Sequence, residues 1–160
     1  MVQAVEWISL LGKSTEDIGI KKLLADLNIK KQPRAKRDDP CAYVTLKKAG
    51  WGMAFEDEDY LLKNDVEHYG EGKMILTALF FYPEGNTIGY GGFTGELMNG
   101  VKLSDTRDEI RRKIGEPQAK YEKDGILGNE RWDFGDTRLV MIYTPEGKIK
   151  SAQVISLKYE

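Results

Sequence analysis

Two segments of this chain open on the same tripeptide and run into strand-like sequence: "EGKMILTALFFY" from Glu71 and "EGKIKSAQVISLKY" from Glu146. The spacing upstream extends the parallel. From Ser14 to Tyr43 is 29 residues and from Ser104 to Trp132 is 28, so helix cap and first-strand aromatic match within one residue. From Tyr43 to Gly72 is 29 residues, whereas from Trp132 to Gly147 is 15. The whole difference falls in "EDEDYLLKNDVEHYG", between the second and third strands of the first unit. The expectation is a degenerate tandem of two helix–three-strand units, over about 12–82 and 101–160, joined by a glycine-rich connection over 83–100 in a single domain. The acidic segment is an insertion into the first unit.

The fold class follows from the period of the apolar residues. "KSTEDIGIKKLLADLNI" carries Ile20, Leu23, Leu24 and Leu27 at helical spacing, with Ser14 and Asp17 placed to cap the first turn. "LSDTRDEIRRKIGEP" has a cap at Ser104 or Asp105, acids in its first turn, bases in its last, and Gly115 and Pro117 to stop it. "AYVTL", "GWGMAF", "KMILTALFFY", "ERWDF", "TRLVMIY" and "KIKSAQVISLKY" read as strands separated by turn residues. In the last of these Ile149, Ile155, Leu157 and Tyr159 are expected on one face and lysines on the other, which describes an antiparallel sheet with one wet face. "KMILTALFFY" is apolar on both faces and belongs at the sheet centre. The result is an α+β fold, an antiparallel sheet with two or three helices packed on one face.

Composition narrows the function classes. At 160 residues with 41% hydrophobic and 31% charged residues, the chain can bury a substantial core. A net charge of −2 lacks the basic excess of nucleic-acid binders, and no apolar run reaches membrane-spanning length. The N-terminal "MVQAVEWISLLGK" has no basic leader and carries Glu6, so it reads as structure, not as a signal peptide. Cys41 is the only cysteine, which excludes an internal disulfide and favours the cytoplasm.

Catalytic patterns are nearly absent. His68 is the one histidine and has no nucleophile motif near it. One Cys and one His cannot make a standard zinc set, and "DEDYLLKNDVE" lacks the calcium-loop pattern. "GYGGFTG" does not match a phosphate loop in register and reads as a flexible linker or an edge strand around Thr87 to Phe93. The basic run Lys30, Lys31, Arg34, Lys36 and Arg37 lacks interleaved aromatics and reads as a solvated connection. No catalytic residue, cofactor or metal is therefore expected.

The acidic insertion stands apart. Between Glu56 and Glu71 seven acids oppose the single base Lys63, a local charge of −6. Concentrated charge of one sign raises the encounter rate with an opposite partner, and tyrosines make good interface anchors. Glu56, Asp57, Glu58, Asp59, Tyr60, Asp65, Glu67 and Tyr69, with the nearby Trp51, are the expected partner-binding residues.

The stretch "VKLSDTRDEIRRKIGEP … RWDF … LVMIYTPEGKI … VISL" resembles a pattern of bacterial toxin-immunity proteins of the contact-dependent-inhibition or polymorphic-toxin type. The helix–three-strand unit is similar to the small lipoproteins of the outer-membrane barrel-assembly machinery and to the tandem units of β-lactamase inhibitor protein. The likeness is best over about 75–157. It implies a cytoplasmic inhibitor that neutralises a toxin domain by occlusion, without turnover. A nuclease toxin would suit the acidic insertion, because its substrate face must be basic. This chain lacks the anchored cysteine and export signal of the outer-membrane lipoproteins, which weighs against an assembly role. The expected partner is a protein, with neither nucleic acid nor membrane involved, and a monomer is favoured. The alternatives are a small-ligand or enzymatic site on the open sheet face near Tyr90 and Phe93, or an assembly subunit.

Overall fold

In the computed structural model, which describes residues 4–160, seven strands form one sheet in which every neighbouring pair is antiparallel. They are β1 (Cys41–Leu46), β2 (Trp51–Asp57), β3 (Met74–Phe81), β4 (Ala119–Lys123), β5 (Ile126–Phe134), β6 (Thr137–Tyr143) and β7 (Ile149–Ser156), in the order β1-β2-β3-β7-β6-β5-β4. Four short α-helices accompany them among the described residues: α1 (Ala4–Ile8), α2 (Ile18–Asp26), α3 (Glu58–Leu61) and α4 (Arg107–Ile114). The fold is α+β. Residues 1–3 of the expected N-terminal structural segment lie outside the described residues.

One face of the sheet carries the core, and strand alternation explains which side chains reach it. Trp51, Met53 and Phe55 of β2 sit opposite Phe81, Leu79 and Leu76 of β3, and all six are buried. Val154 and Ala152 of β7 continue the row to Leu139 and Met141 of β6, then to Trp132 of β5. Ile20, Leu23 and Leu24 of α2, Ala4 of α1 and Ile110 of α4 close over this layer in one cluster. Trp7, just inside α1, stacks on Trp51 with ring centroids 3.8 Å apart.

Strand β3 lies inside the sheet between β2 and β7, and it is apolar on both faces as its sequence requires. The Glu71-Gly72-Lys73 and Glu146-Gly147-Lys148 tripeptides immediately precede β3 and β7, which pair with each other. Strands β1-β2-β3 and β5-β6-β7 are arranged outside to inside about that pair, whereas among the described residues β4 has no counterpart before β1. The β3–β7 ladder covers only Ala78–Phe81 against Ala152–Ile155. Beside the start of β3, residues 12–15 take over: Gly12 N donates to Leu76 O at 2.8 Å and Thr15 N to Met74 O at 2.9 Å.

Several local expectations change. Asp17, not Ser14, caps α2, accepting from the Gly19 amide at 2.8 Å. Thr106, not Ser104 or Asp105, caps α4, and its exchange with Glu109 makes a complete capping box. In β7 the core-facing residues are Ile149, Ala152 and Val154, because the register slips at Ile142/Tyr143. Ile155 is left on the opposite face, and Leu157 and Tyr159 fall beyond the strand. No strand forms over 87–93. That glycine segment is neither linker nor edge. Phe93 N donates to Tyr82 O and Gly91 N to Lys47 O, and a Cβ on Gly91 would collide with the Lys48 carbonyl. Only glycine lets the two backbones touch there.

The one-sided core makes a direct prediction. Phe55→Ala should cost about 3–5 kcal/mol of folding free energy in urea unfolding, through the cavity it leaves. Ile155→Ala, on the uncovered face, should cost about 1 kcal/mol or less.

Candidate partner-binding surface

Strand β2 ends at Asp57, and this wholly buried residue organises the segment between β2 and β3. Its Oδ1 accepts from the Asp59 amide at 2.8 Å, capping α3, and its Oδ2 accepts from the Gly70 amide at 2.9 Å. One carboxylate thus holds both ends of the excursion. Ion-to-amide hydrogen bonds of this kind are stronger than neutral ones, and they are what makes burying the group tolerable. The base is closed further by Glu58 N to Lys73 O at 2.8 Å and Tyr69 N to Arg37 O at 3.0 Å. Asn64 Nδ2 donates to Asp59 Oδ1 at 2.9 Å, and the Tyr60 and Tyr69 rings meet edge to face. Gly72 has to be glycine, since its Cβ would strike the Asp57 carboxylate.

The outgrowth from Glu58 to Glu71 is therefore a tied-down knob. On its outside stand Asp65, Glu67 and Glu71, with Glu58 and Asp59 half exposed. Among the described residues none of these five acids takes part in an ion pair. Tyr60, Leu62 and Val66 are exposed beside them, at 47%, 53% and 36%. The basic segment runs alongside, with Lys30, Lys31, Arg34, Lys36 and Arg37 also exposed and making no ion pair to the knob. The surface here has unneutralised acid mixed with apolar side chains.

Not every expected residue belongs to it. Trp51 is in the core, 2% exposed and stacked under Trp7, so it offers no surface to a partner. It alternates with Met53 and Phe55, and that periodicity outranks its nearness in sequence to the acids. Asp57 is 0% exposed and acts as a clamp, not as a contact. Glu56 lies within β2 on the uncovered sheet face, where burial pushes its carboxyl above the ordinary range. Cys41 and Thr77 hydrogen bonds offset only part of that rise. Tyr69 is half-buried under Tyr60. Among the described residues, the one side-chain hydrogen bond of His68 is with the Tyr69 carbonyl, at 3.3 Å. Tyr90 and Phe93 do not share a pocket: Phe93 packs in the core against Phe81, and Tyr90 lies on Tyr82.

Sequence reasoning missed one charged cluster. Glu130 of β5 is wholly buried, bonded to Arg111 of α4 and to the Tyr143 hydroxyl at 2.8 Å, with Arg107 at 3.6 Å. Burial, and then Glu130, hold the Tyr143 phenol well above its ordinary range. The signal was available: Glu130 shares a strand face with Trp132, and Arg107 and Arg111 share a helix face. Next to it a groove of about 640 Å³ is lined by Glu84, Asp105, Thr106, Arg107, Asp108 and Lys148, whose charges are mixed in sign. Among the described residues no cluster of three potential metal ligands occurs, and no helix is long and apolar enough to cross a membrane.

No family model and no curated protein matches the chain. Solved structures do resemble it in fold. One is a cysteine-rich secretory protein from Staphylococcus aureus, with TM-score 0.52 and 11% identity, over 92% of this chain and 45% of that one. Another is an extracellular protein containing a SCP domain from Bacillus anthracis, with TM-score 0.49 and 7% identity, over 98% and 47%. A third is a DUF4309 family protein from Bacillus subtilis, with TM-score 0.46 and 9% identity, over 85% and 76%. At such identities the likeness is one of fold, and the chain spans less than half of the first two proteins.

Buried Asp57 and the phenol beside Glu130 each yield a testable outcome. Asp57→Ala should speed hydrogen exchange of the Asp59 and Gly70 amides and cost about 1–3 kcal/mol, while leaving exchange in β5 and β6 unchanged. The raised Tyr143 value means the fold favours the neutral phenol. Its contribution is complete below the unfolded value of about 10 and is lost as pH rises through the folded one. In an absorbance titration Tyr143 should be the last phenol to ionise, and stability should fall more steeply in that alkaline window in wild type than in Tyr143→Phe, where the raised Tyr43 and Tyr82 phenols still contribute.

Proposed function

We propose that this chain is a non-catalytic binding protein that docks the 58–71 outgrowth onto a positively charged face of a protein partner. The observation that carries the reading is the acidic knob: five acids that, among the described residues, form no ion pair, and three exposed apolar side chains, fixed by Asp57. Besides stabilising the loop, the buried carboxylate holds its outer surface in one arrangement. Such a clamp lowers the ordering cost of binding.

In keeping with the resemblance of the 75–157 region, the partner is a toxin domain, and the chain is its immunity protein, acting in the cytoplasm. A nuclease fits the charge, because a surface that holds phosphates attracts an acidic knob placed over it. Inhibition is then exclusion of substrate. Tyr60, Leu62 and Val66 supply the apolar centre, and Glu58, Asp59, Asp65, Glu67 and Glu71 supply steering and register. The acids act mainly on association, the apolar residues on dissociation.

Capture from the native host followed by mass spectrometry identifies the partner, and a toxic C-terminal domain encoded in the neighbouring reading frame is the expected candidate. Against that partner, combined Glu58→Lys, Asp59→Lys and Glu67→Lys should slow association by roughly tenfold or more at low salt and flatten its salt dependence. Association that is unchanged at low salt removes the outgrowth from the interface.

A further inference from the structure

We propose that β1 is a self-association edge, through which two copies of this chain join their sheets about a two-fold axis at Tyr43. The two ends of the sheet are built differently. Strand β4 carries Lys120, Glu122 and Lys123 and a register shift at Tyr121/Glu122, features that block edge-to-edge pairing. Strand β1, "CAYVTL", has no charge, no proline and an unbroken register along its six residues. Among the described residues it pairs only with β2.

The direction of its backbone groups follows from one hydrogen bond. Asp57 N donates to Pro40 O at 2.9 Å, so residues 40, 42, 44 and 46 turn their polar groups toward β2. Cys41, Tyr43 and Thr45 turn theirs outward. The Cys41 amide is taken by Asp39 Oδ1 at 3.0 Å. The amide and carbonyl of Tyr43 and the amide of Thr45 face the open edge, where the Tyr43 and Thr45 side chains are also exposed.

Charge selects the occupant. Asp38 and Asp39 stand at one end of β1 and Lys47 and Lys48 at the other, all four exposed. An antiparallel second copy centred on Tyr43 brings the acidic pair of each chain beside the basic pair of its mate. In that register Tyr43 meets Tyr43 and Cys41 meets Thr45, and just beyond the paired strands the Asp38–Asp39 turn of each chain approaches the Lys47–Lys48 turn of its mate. Side chains on the same face come together, as a ladder demands. Two Tyr43–Tyr43 and two Thr45–Cys41 backbone bonds form, about four in all. Tyr43 already leans on Phe80, so the aromatic row of the uncovered face continues across the axis. An extended peptide would need the same flanking charges in the same order to match this.

The test is sedimentation equilibrium of the full chain from about 1 to several hundred µM. The expected result is a reversible dimer, with Thr45→Pro weakening it roughly tenfold or more, because proline there removes only an outward amide. Tyr43→Lys should weaken it similarly by placing like charges on the axis; circular dichroism verifies that each variant is folded, and this second variant decides if the proline one is not. Asp38→Lys and Lys48→Glu should each weaken self-association about three- to tenfold, and mixing the two should restore a heterodimer. A chain that stays monomeric throughout, a dimer indifferent to Tyr43→Lys, or a charge pair that fails to rescue on mixing overturns the proposal.

Discussion

The short ladder between β3 and β7 is the contact on which the rest depends. Only four residues of each strand pair, Ala78–Phe81 with Ala152–Ile155, yet they make one seven-stranded sheet of two halves. Because the ladder is antiparallel and in register, Leu79 and Phe81 meet Val154 and Ala152 on the same face. That row gives the helices of both halves a common floor, and α1, α2 and α4 share one hydrophobic cluster over it. A one-residue slip would turn the row toward solvent and separate the halves. The unpaired start of β3 is then available to residues 12–15, which tie the N-terminal segment to the sheet.

With one face committed to the core, everything distinctive is placed at the margins. Two fully buried carboxylates do this in different ways. Glu130 meets cations, Arg111 and Arg107, and joins α4 to β5 and β6. Asp57 meets backbone amides and holds a loop to the end of β2. The first arrangement neutralises charge within the molecule. The second uses no cation, and the exposed acids of the knob are left without an ion-pair partner among the described residues. Such acids are open to a cationic partner.

Much of the architecture is readable in the residues. The doubly apolar β3, the Ile20–Leu23–Leu24 stripe and the acid-to-base gradient of α4 each combine local propensity with a clear period, and each lies where that period places it. The excursion between β2 and β3 is visible as a difference in spacing. Other features are not. The edge strand β4 is short and charged, with no burial signal to mark it. Helix caps move by one to three residues, because Ser14, Asp17, Ser104, Asp105 and Thr106 are all chemically fit for the role and only backbone geometry selects among them. The glycine segment 83–100 looks like a linker in sequence because its order comes from a backbone bond folding it back on Tyr82 and from close backbone contact with the distant Lys47 and Lys48, neither of which a local pattern marks.

The sequence by itself determined the secondary-structure periods, the fold class and the position of the unusual charge, since these depend on neighbours within a few residues. Tertiary structure alone decided which of those charges face outward. Asp57 and Asp59 are two residues apart and chemically alike, yet one is sealed beneath the Gly70 amide and the other stands at the surface. Trp51, close to the acids in sequence, is turned away from them by the strand that carries it. The physical reason is that accessibility is set by what covers a side chain, and the covering groups here come from parts of the chain far away in sequence.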